Sequence, residues 1–427
     1  MRWTLALLLY RLLLPILFIA AFPGWLLKML RRDGIDTDLF ERIGIYTEPD
    51  EFEPFEAVHI HSVSVGETLL ALKLIREWRK RDPRQNFVIA VGTATGHRVA
   101  TQASIETLRV TYAPLDFRWM VKRYLSRFQP AKIVLIEGEV WPHMLMASES
   151  RQIPVTLVNA RVSPGSARRF RKFAPWIQPL YGRLRAVAIQ ELEDSKLWRK
   201  LGVATERIQH TGSLKFDPGS GELPRKRSEF QAILDAYPKA PLILAASTHA
   251  GEHAWIARAV RDHLPNAIIA IVPRHAELRT EVQQELAQVG LKSVLRSLME
   301  TAPESLNDEV LVIDSTGELR DWTAHADVVL IGKSFMSRGG QNPCEAIRAH
   351  KPVIAGPHME NFEPLISQLY QAGGAAMATN PIQIGEALKD ALQVQHAAIM
   401  TRNALQILQV HAGATGRIID LIEKTGC

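Results

Sequence analysis

Short apolar runs and amphipathic stretches alternate through most of this 427-residue chain. Residues 57–60 form an apolar run that reads as a buried strand. Beyond it Leu69, Leu70, Leu72, Leu74, Ile75 and Trp78 interleave with Lys73, Arg76 and Glu77 at helical spacing. The small and polar residues between, ending at Gly66, predict a strand-to-helix turn. Strand-like runs recur at 87–91, 110–112, 132–136, 155–158 and 186–190, with helical stretches at 98–103 and 117–128. Repeated strand–helix–strand units of this kind predict a parallel sheet covered by helices on both faces. A second series follows at 242–246, 267–272, 310–313, 328–331 and 352–355, and residues 384–423 read as helical throughout.

The polar, Gly- and Pro-containing segment 217–224 separates the two series and predicts an interdomain linker. The expected architecture is α/β, with two Rossmann-like domains facing each other across a cleft. Its parts are a hydrophobic N-terminal stretch at 1–32, a first domain at 33–216, the linker at 217–224 and a second domain with terminal helices at 225–427. The N-terminal stretch is nearly all apolar from Trp3 to Leu30, interrupted by Arg11 and Pro15 and bordered by Trp25, Lys28, Arg31 and Arg32. No small-residue cleavage site follows a short apolar core, which predicts a retained membrane anchor rather than a signal peptide. The basic border places the body on the cytoplasmic side, and Arg11 favours a helix partly buried in one leaflet.

Charge adds little: 51 Lys and Arg stand against 45 Asp and Glu, a mild basic excess that suits anionic partners without choosing among them. The two cysteines, Cys344 and Cys427, form no metal-ligand pattern and no disulfide framework. The histidines have no paired-ligand spacing, so no metal is expected.

Candidate chemistry collects just after the strands, where ligands bind in open α/β sheets. Glu67 lies at a helix N-terminus, which favours an ionised carboxylate; it reads as a helix cap or as a functional acid. Glu137 and Glu139 follow the run at 132–136, a carboxylate pair suited to acid–base work or to facing solvent. Lys215 stands before the linker, placed for a phosphate. Ser247, Thr248 and His249 are placed to hold an anion at a helix start. Pro273 and Arg274 end another strand, where a guanidinium suits bidentate phosphate recognition. Thr316, Gly317 and Glu318, and then Asn342, Pro343, Cys344 and Glu345 after a glycine pair, complete the set. The last group reads either as a capping box or as a clasp for ribose or phosphate. Arg161, Arg168 and Arg169 lie in a basic stretch that reads as a solvated helix face or a seat for a phosphorylated lipid.

In order along the chain, the segments His61–Glu67 (HSVSVGE), Gly212–Asp217 (GSLKFD), Pro273–His275 (PRH) and Gly317–Leu319 (GEL), with the glycine-pair segment ending at Glu345, resemble the Kdo (3-deoxy-D-manno-octulosonic acid) transferases of lipopolysaccharide assembly. The resemblance implies the glycosyltransferase B fold, with an acceptor-binding first domain and a CMP-sugar-binding second domain. It implies metal-independent, inverting transfer of Kdo from CMP-Kdo to the lipid A disaccharide precursor, lipid IVA, at the cytoplasmic face of the inner membrane. No cofactor and no nucleic-acid partner are implied. By the same resemblance Glu67 is the general base, Glu137 and Lys215 stabilise the transition state, and Pro273, Arg274, Thr316–Glu318 and Asn342–Glu345 hold the CMP portion. Gly138 and His143 depart from the family's E-T-E-L-W-P-N, and Gln341 departs from its G-G-H-N-P-L-E. The alternatives are another nucleotide-sugar transferase or epimerase on the same scaffold, or a silent membrane protein that binds a phosphorylated lipid or nucleotide.

Overall fold

The computed structural model describes residues 2–32, 39–46, 56–162, 164–217, 224–299, 306 and 308–425. Two compact units emerge: Met1–Gly219 together with Gly413–Cys427, and Ser220–Ala412. Most of the expected linker, residues 218–223, lies outside the described residues.

The first unit carries a seven-stranded sheet of β1 (Val58–Ser62), β2 (Phe87–Val91), β3 (Leu108–Tyr112), β4 (Lys132–Ile136), β5 (Val155–Ala160), β6 (Ala186–Ile189) and β7 (Ile208–His210). Their order is β3-β2-β1-β4-β5-β6-β7, all parallel among the described residues. Alternation along each strand feeds two cores. Ile133 and Leu135 pack with Tyr124, Phe128 and Trp198 on one face. Val134 and Ile136 pack with Leu72, Ile75 and Trp78 on the other. Burial on both faces is why these strands read as unbroken apolar runs. β1 runs two residues further than its apolar run suggests, because His59 and His61 are accepted into the interior. His59 pairs with the Tyr124 hydroxyl at 2.9 Å, and His61 lies edge-on to the same ring.

The second unit repeats the plan with β8 (Leu242–Thr248), β9 (Ile268–Pro273), β10 (Lys292–Leu295), β11 (Glu309–Val312), β12 (Val328–Ile331), β13 (Val353–Ala355) and β14 (Ala376–Met377). Their order is β10-β11-β9-β8-β12-β13-β14, again parallel. Its core gathers Ile243, Ile256, Val260, Ile269, Ile271, Val310, Leu330 and Ile354, all fully buried.

The terminal helices depart from the expected division. Residues 384–423 form three helices, Pro381–Ala391, Val394–Gln409 and Ala414–Lys424, not one continuous stretch. The last belongs to the first unit, where Ile418, Ile419 and Ile422 are fully buried beside Leu72, Trp78 and Leu214. The second domain therefore does not run to the C-terminus.

The N-terminal helix spans Arg2–Arg32. Its segment Arg2–Gly24 is long and apolar enough to cross a membrane, with mean hydropathy 2.4 and 6% of that window buried. Leu12, Leu13, Ile16, Leu17 and Ile19 are all exposed. The side chains of the expected border, Trp25, Lys28, Arg31 and Arg32, lie outside the described ones.

Candidate active site

Each sheet changes direction once. In the first unit the chain lays down β2 and β3 on one side of β1 and then returns to place β4 on the other. Such a switch point opens a crevice at the carboxyl ends of the strands. Glu67 follows β1 and Glu137 follows β4, so the strand order itself brings the two together.

Glu67 is the third residue of the helix Val65–Arg81, whose N-cap, Ser64, accepts its N–H. The Glu67 carboxylate turns back on the preceding loop, accepting the Val63 N–H at 2.8 Å and the Ser64 hydroxyl at 3.0 Å. It is a helix cap, and it is also held rigidly at the crevice with 8% of its surface exposed. A carboxylate has about four lone-pair sites, so two bonds leave acceptor capacity. The helix N-terminus does not keep its pKa low. Burial pushes it above the usual range, the two hydrogen bonds oppose this, and the charges of Glu137 and Glu139 push it further up. Three carboxylates thus share one electrostatic environment. Glu139 is raised as well, by burial. Gly92 lets the loop after β2 close over this turn: a Cβ there would lie 2.8 Å from Val63 Cα.

Glu137 sits in the left-handed region, φ 66°, where non-glycine residues are uncommon. Its N–H donates to the Val158 carbonyl, and its carbonyl accepts from Arg161 N–H at 3.1 Å. Asn159, also left-handed at φ 53°, extends this framework. Its side-chain oxygen accepts the Ser213 hydroxyl at 3.2 Å and the Leu214 N–H at 2.9 Å. From the other side, the Lys73 ammonium donates to the Leu214 and Asp217 carbonyls, each at 2.6 Å. Lys215 is therefore presented on a turn gripped at both flanks. Arg161 stands beside Glu137 on the loop after β5. Arg168 and Arg169 are exposed on the helix Pro164–Tyr181, Arg169 donating to Ser166 one turn back. No described contact joins these two arginines to the carboxylates.

In the second unit the switch point lies between β8 and β12. Glu252, 1% exposed, begins the helix after β8, and its carboxylate accepts the N–H groups of Lys333, Ser334 and Phe335 in the loop after β12. Neither Glu252 nor Asn159 is among the residues that sequence reasoning singles out. For Glu252 a signal existed: Gly251–Glu252 repeats, after the first strand of the second sheet, the Gly66–Glu67 step of the first.

Pro273 ends β9, and exposed Arg274 donates its N–H to the Thr248 carbonyl at 2.9 Å. Gly317 has φ 90°, and Glu318 accepts from Trp322 Nε1 at 3.2 Å with Arg296 3.6 Å away. Gly339 and Gly340 have φ 116° and 67°, and a Cβ on Gly340 would meet Met359 Sδ at 2.2 Å. Asn342 accepts the Cys344 N–H at 3.0 Å, a local turn. The capping box that the spacing suggests does not form: Glu345 is exposed and makes no side-chain hydrogen bond among the described residues. Cys344 is buried. Among the described residues no group of three or more His, Cys, Asp or Glu is placed to hold a metal ion.

Two doubly wound parallel sheets, each with polar groups at its switch point, define a protein of the glycosyltransferase B fold. Solved structures share the architecture. UDP-GlcNAc 2-epimerase from Neisseria meningitidis, bound to UDP-GlcNAc, superposes with TM-score 0.54 over 87% of this chain and all of that one, at 13% identity, a likeness of fold alone.

The family follows from sequence. Residues 37–218, which include Glu67, Glu137 and Lys215, match the family model 3-Deoxy-D-manno-octulosonic-acid transferase (kdotransferase). A 3-deoxy-D-manno-octulosonic acid transferase from Bordetella pertussis is 31% identical over 414 residues, 93% of this chain and 95% of the relative. One from Haemophilus influenzae is 29% identical over 394 residues, 90% of each chain. The chain belongs to the Kdo transferase family, glycosyltransferases of lipopolysaccharide biosynthesis.

Proposed function

We propose that this chain moves Kdo from CMP-Kdo onto lipid IVA, the lipid A disaccharide precursor, with inversion and without a metal. The observation that carries the reading is the placement of Glu67 against Glu137 and Glu139 at the first switch point. In the transfer an acceptor hydroxyl oxygen bonds to the anomeric carbon of Kdo as the bond from that carbon to the CMP phosphate breaks. The hydroxyl proton passes to Glu67, and the electron pair leaves with CMP. The transition state is oxocarbenium-like, as in glycoside cleavage. A positioned base contributes about 10²- to 10⁴-fold, and a carboxylate pKa raised by burial suits that task better than an ordinary one.

Glu137 and Lys215 flank the developing charge. Pro273, Arg274, Thr316, Gly317, Glu318 and Asn342–Glu345 hold the CMP portion, with the free Glu345 carboxylate available to ribose hydroxyls. Arg161, Arg168 and Arg169 offer cations to the phosphorylated acceptor. The apolar N-terminal helix holds the enzyme at the inner membrane, on the cytoplasmic face beside its lipid substrate. Incubating the protein with CMP-Kdo and lipid IVA tests the whole reading. Each transfer adds the mass of one Kdo residue to the lipid, and a lipid of unchanged mass, with the donor intact, refutes it.

A further inference from the structure

Two non-glycine residues in the left-handed backbone region meet at the second switch point: Ser247, φ 56°, at the end of β8, and Lys333, φ 54°, just after β12. The loops press together, since a Cβ on Gly332 would lie 2.5 Å from the Ser247 carbonyl oxygen. A left-handed conformation costs an ordinary L-residue about 1–2 kcal/mol and glycine almost nothing. A lysine held there needs a reason, because glycine would fold more easily.

The backbone of Lys333 is fully committed. Its N–H is bound by Glu252, and its carbonyl accepts the Gly340 N–H at 3.0 Å. Its side chain is not. Half-buried, it runs along the glycine pair, so that a Cβ on Gly339 would lie 3.8 Å from Lys333 Cε. Among the described residues no carboxylate lies within ion-pair range of its ammonium. The Lys333 charge reaches His249, whose pKa is held below its ordinary value mostly by burial, with Lys333 and His275 pushing the same way and Ser247 and Glu252 opposing.

We propose that Lys333 is a donor-binding residue whose ammonium takes the phosphate of the CMP portion over the Gly339–Gly340 loop. This rests on the reading of the second unit as the CMP-sugar domain. The Lys333 stem passes beside Gly339, the crevice between β8 and β12 is where an open α/β sheet receives such a group, and a lysine serves phosphate as a compact point charge. The left-handed backbone aims the side chain across the glycines instead of into solvent.

The test is calorimetric titration of the intact protein with CMP and, separately, with cytidine. Lys333→Gly relieves the backbone and removes the cation, so the melting temperature should hold or rise while CMP affinity falls about tenfold. Cytidine affinity should not change, and Lys333→Arg should restore most of the CMP affinity. CMP affinity within twofold of wild type in Lys333→Gly would overturn the assignment of the lysine alone. A wild-type protein that binds neither CMP nor cytidine would overturn the reading of the second unit as the donor domain, and the lysine with it.

Discussion

The Asp217 carboxylate accepts the backbone N–H of Thr415 at 2.7 Å, joining the end of the G-S-L-K-F-D segment to the start of the last helix. The same carboxylate takes the Gly413 N–H at 3.0 Å and the Thr415 hydroxyl. One side chain therefore caps the helix that closes the first unit, while its own carbonyl is held by Lys73. Asp217→Ala strands these donors, the two of Thr415 buried, and should cost on the order of 2–4 kcal/mol. Denaturant titration should show the loss in the unfolding of the first unit. An unshifted midpoint would mean that the apolar contacts of Ile418, Ile419 and Ile422 hold the helix without the clasp.

Glu67→Gln removes the base while keeping an oxygen for the Val63 N–H. Turnover should fall by about 10²- to 10⁴-fold, with CMP-Kdo affinity and melting temperature nearly unchanged. A rate within a few fold of wild type would remove Glu67 from the proton transfer and leave it as a cap.

The buried histidines of β1 set an acid limit on stability. Burial lowers the pKa of His59 from 6.5 to about 3 and that of His61 to about 4. Both are neutral in the folded chain, so the unfolded chain binds more protons below its ordinary histidine pKa. Stability should therefore be full above about pH 6.5 and fall as the pH drops toward 4, by up to about 1.4 kcal/mol per pH unit for each histidine. Glu67 contributes with the opposite sign: its raised pKa makes the folded state slightly more stable when it is protonated, an advantage lost as pH rises through the folded value. Melting curves from pH 8 to 4 of wild type and His59→Phe should diverge on the acid side. Parallel curves would show that His59 does not drive the loss.

The N-terminal helix is tied to the body as well as exposed to its surroundings. The Tyr10 hydroxyl donates to Asp116 at 2.7 Å, and Asp116 also accepts the His143 and Met144 N–H groups that begin the helix after Glu139. Phe18 meets Phe117 edge-on at 5.6 Å. Tyr10→Phe should weaken this docking by about 1 kcal/mol, seen as faster hydrogen exchange around residues 8–14 and near 116 with little change in the sheet. Unchanged exchange at both places would mean that ring packing, not the hydroxyl, seats the helix.

Strands buried on both faces were legible because each had to be a continuous apolar run: 87–91, 132–136 and 328–331 match β2, β4 and β12 residue for residue. The edge strands β7, β10 and β14 escaped, since half-buried residues such as Ile208, Gln209 and His210 need no such pattern. Glu137 could be picked out as a polar residue directly after an apolar run, Glu67 at a helix N-terminus and Lys215 just before the linker. Asn159 and Lys333 could not, and Glu252 only through its repeated Gly–Glu step, because what they do depends on partners 54 to 83 positions away. Composition and periodicity determined the class of the long buried segments, the two-part plan and the ends of inner strands such as β2, β4 and β12. Which strands became neighbours was decided only by tertiary structure. Local periodicity reports which face of a segment is buried, and carries no record of the strand beside it. The two crevices, their strained residues and the return of the last helix all follow from that choice of neighbours.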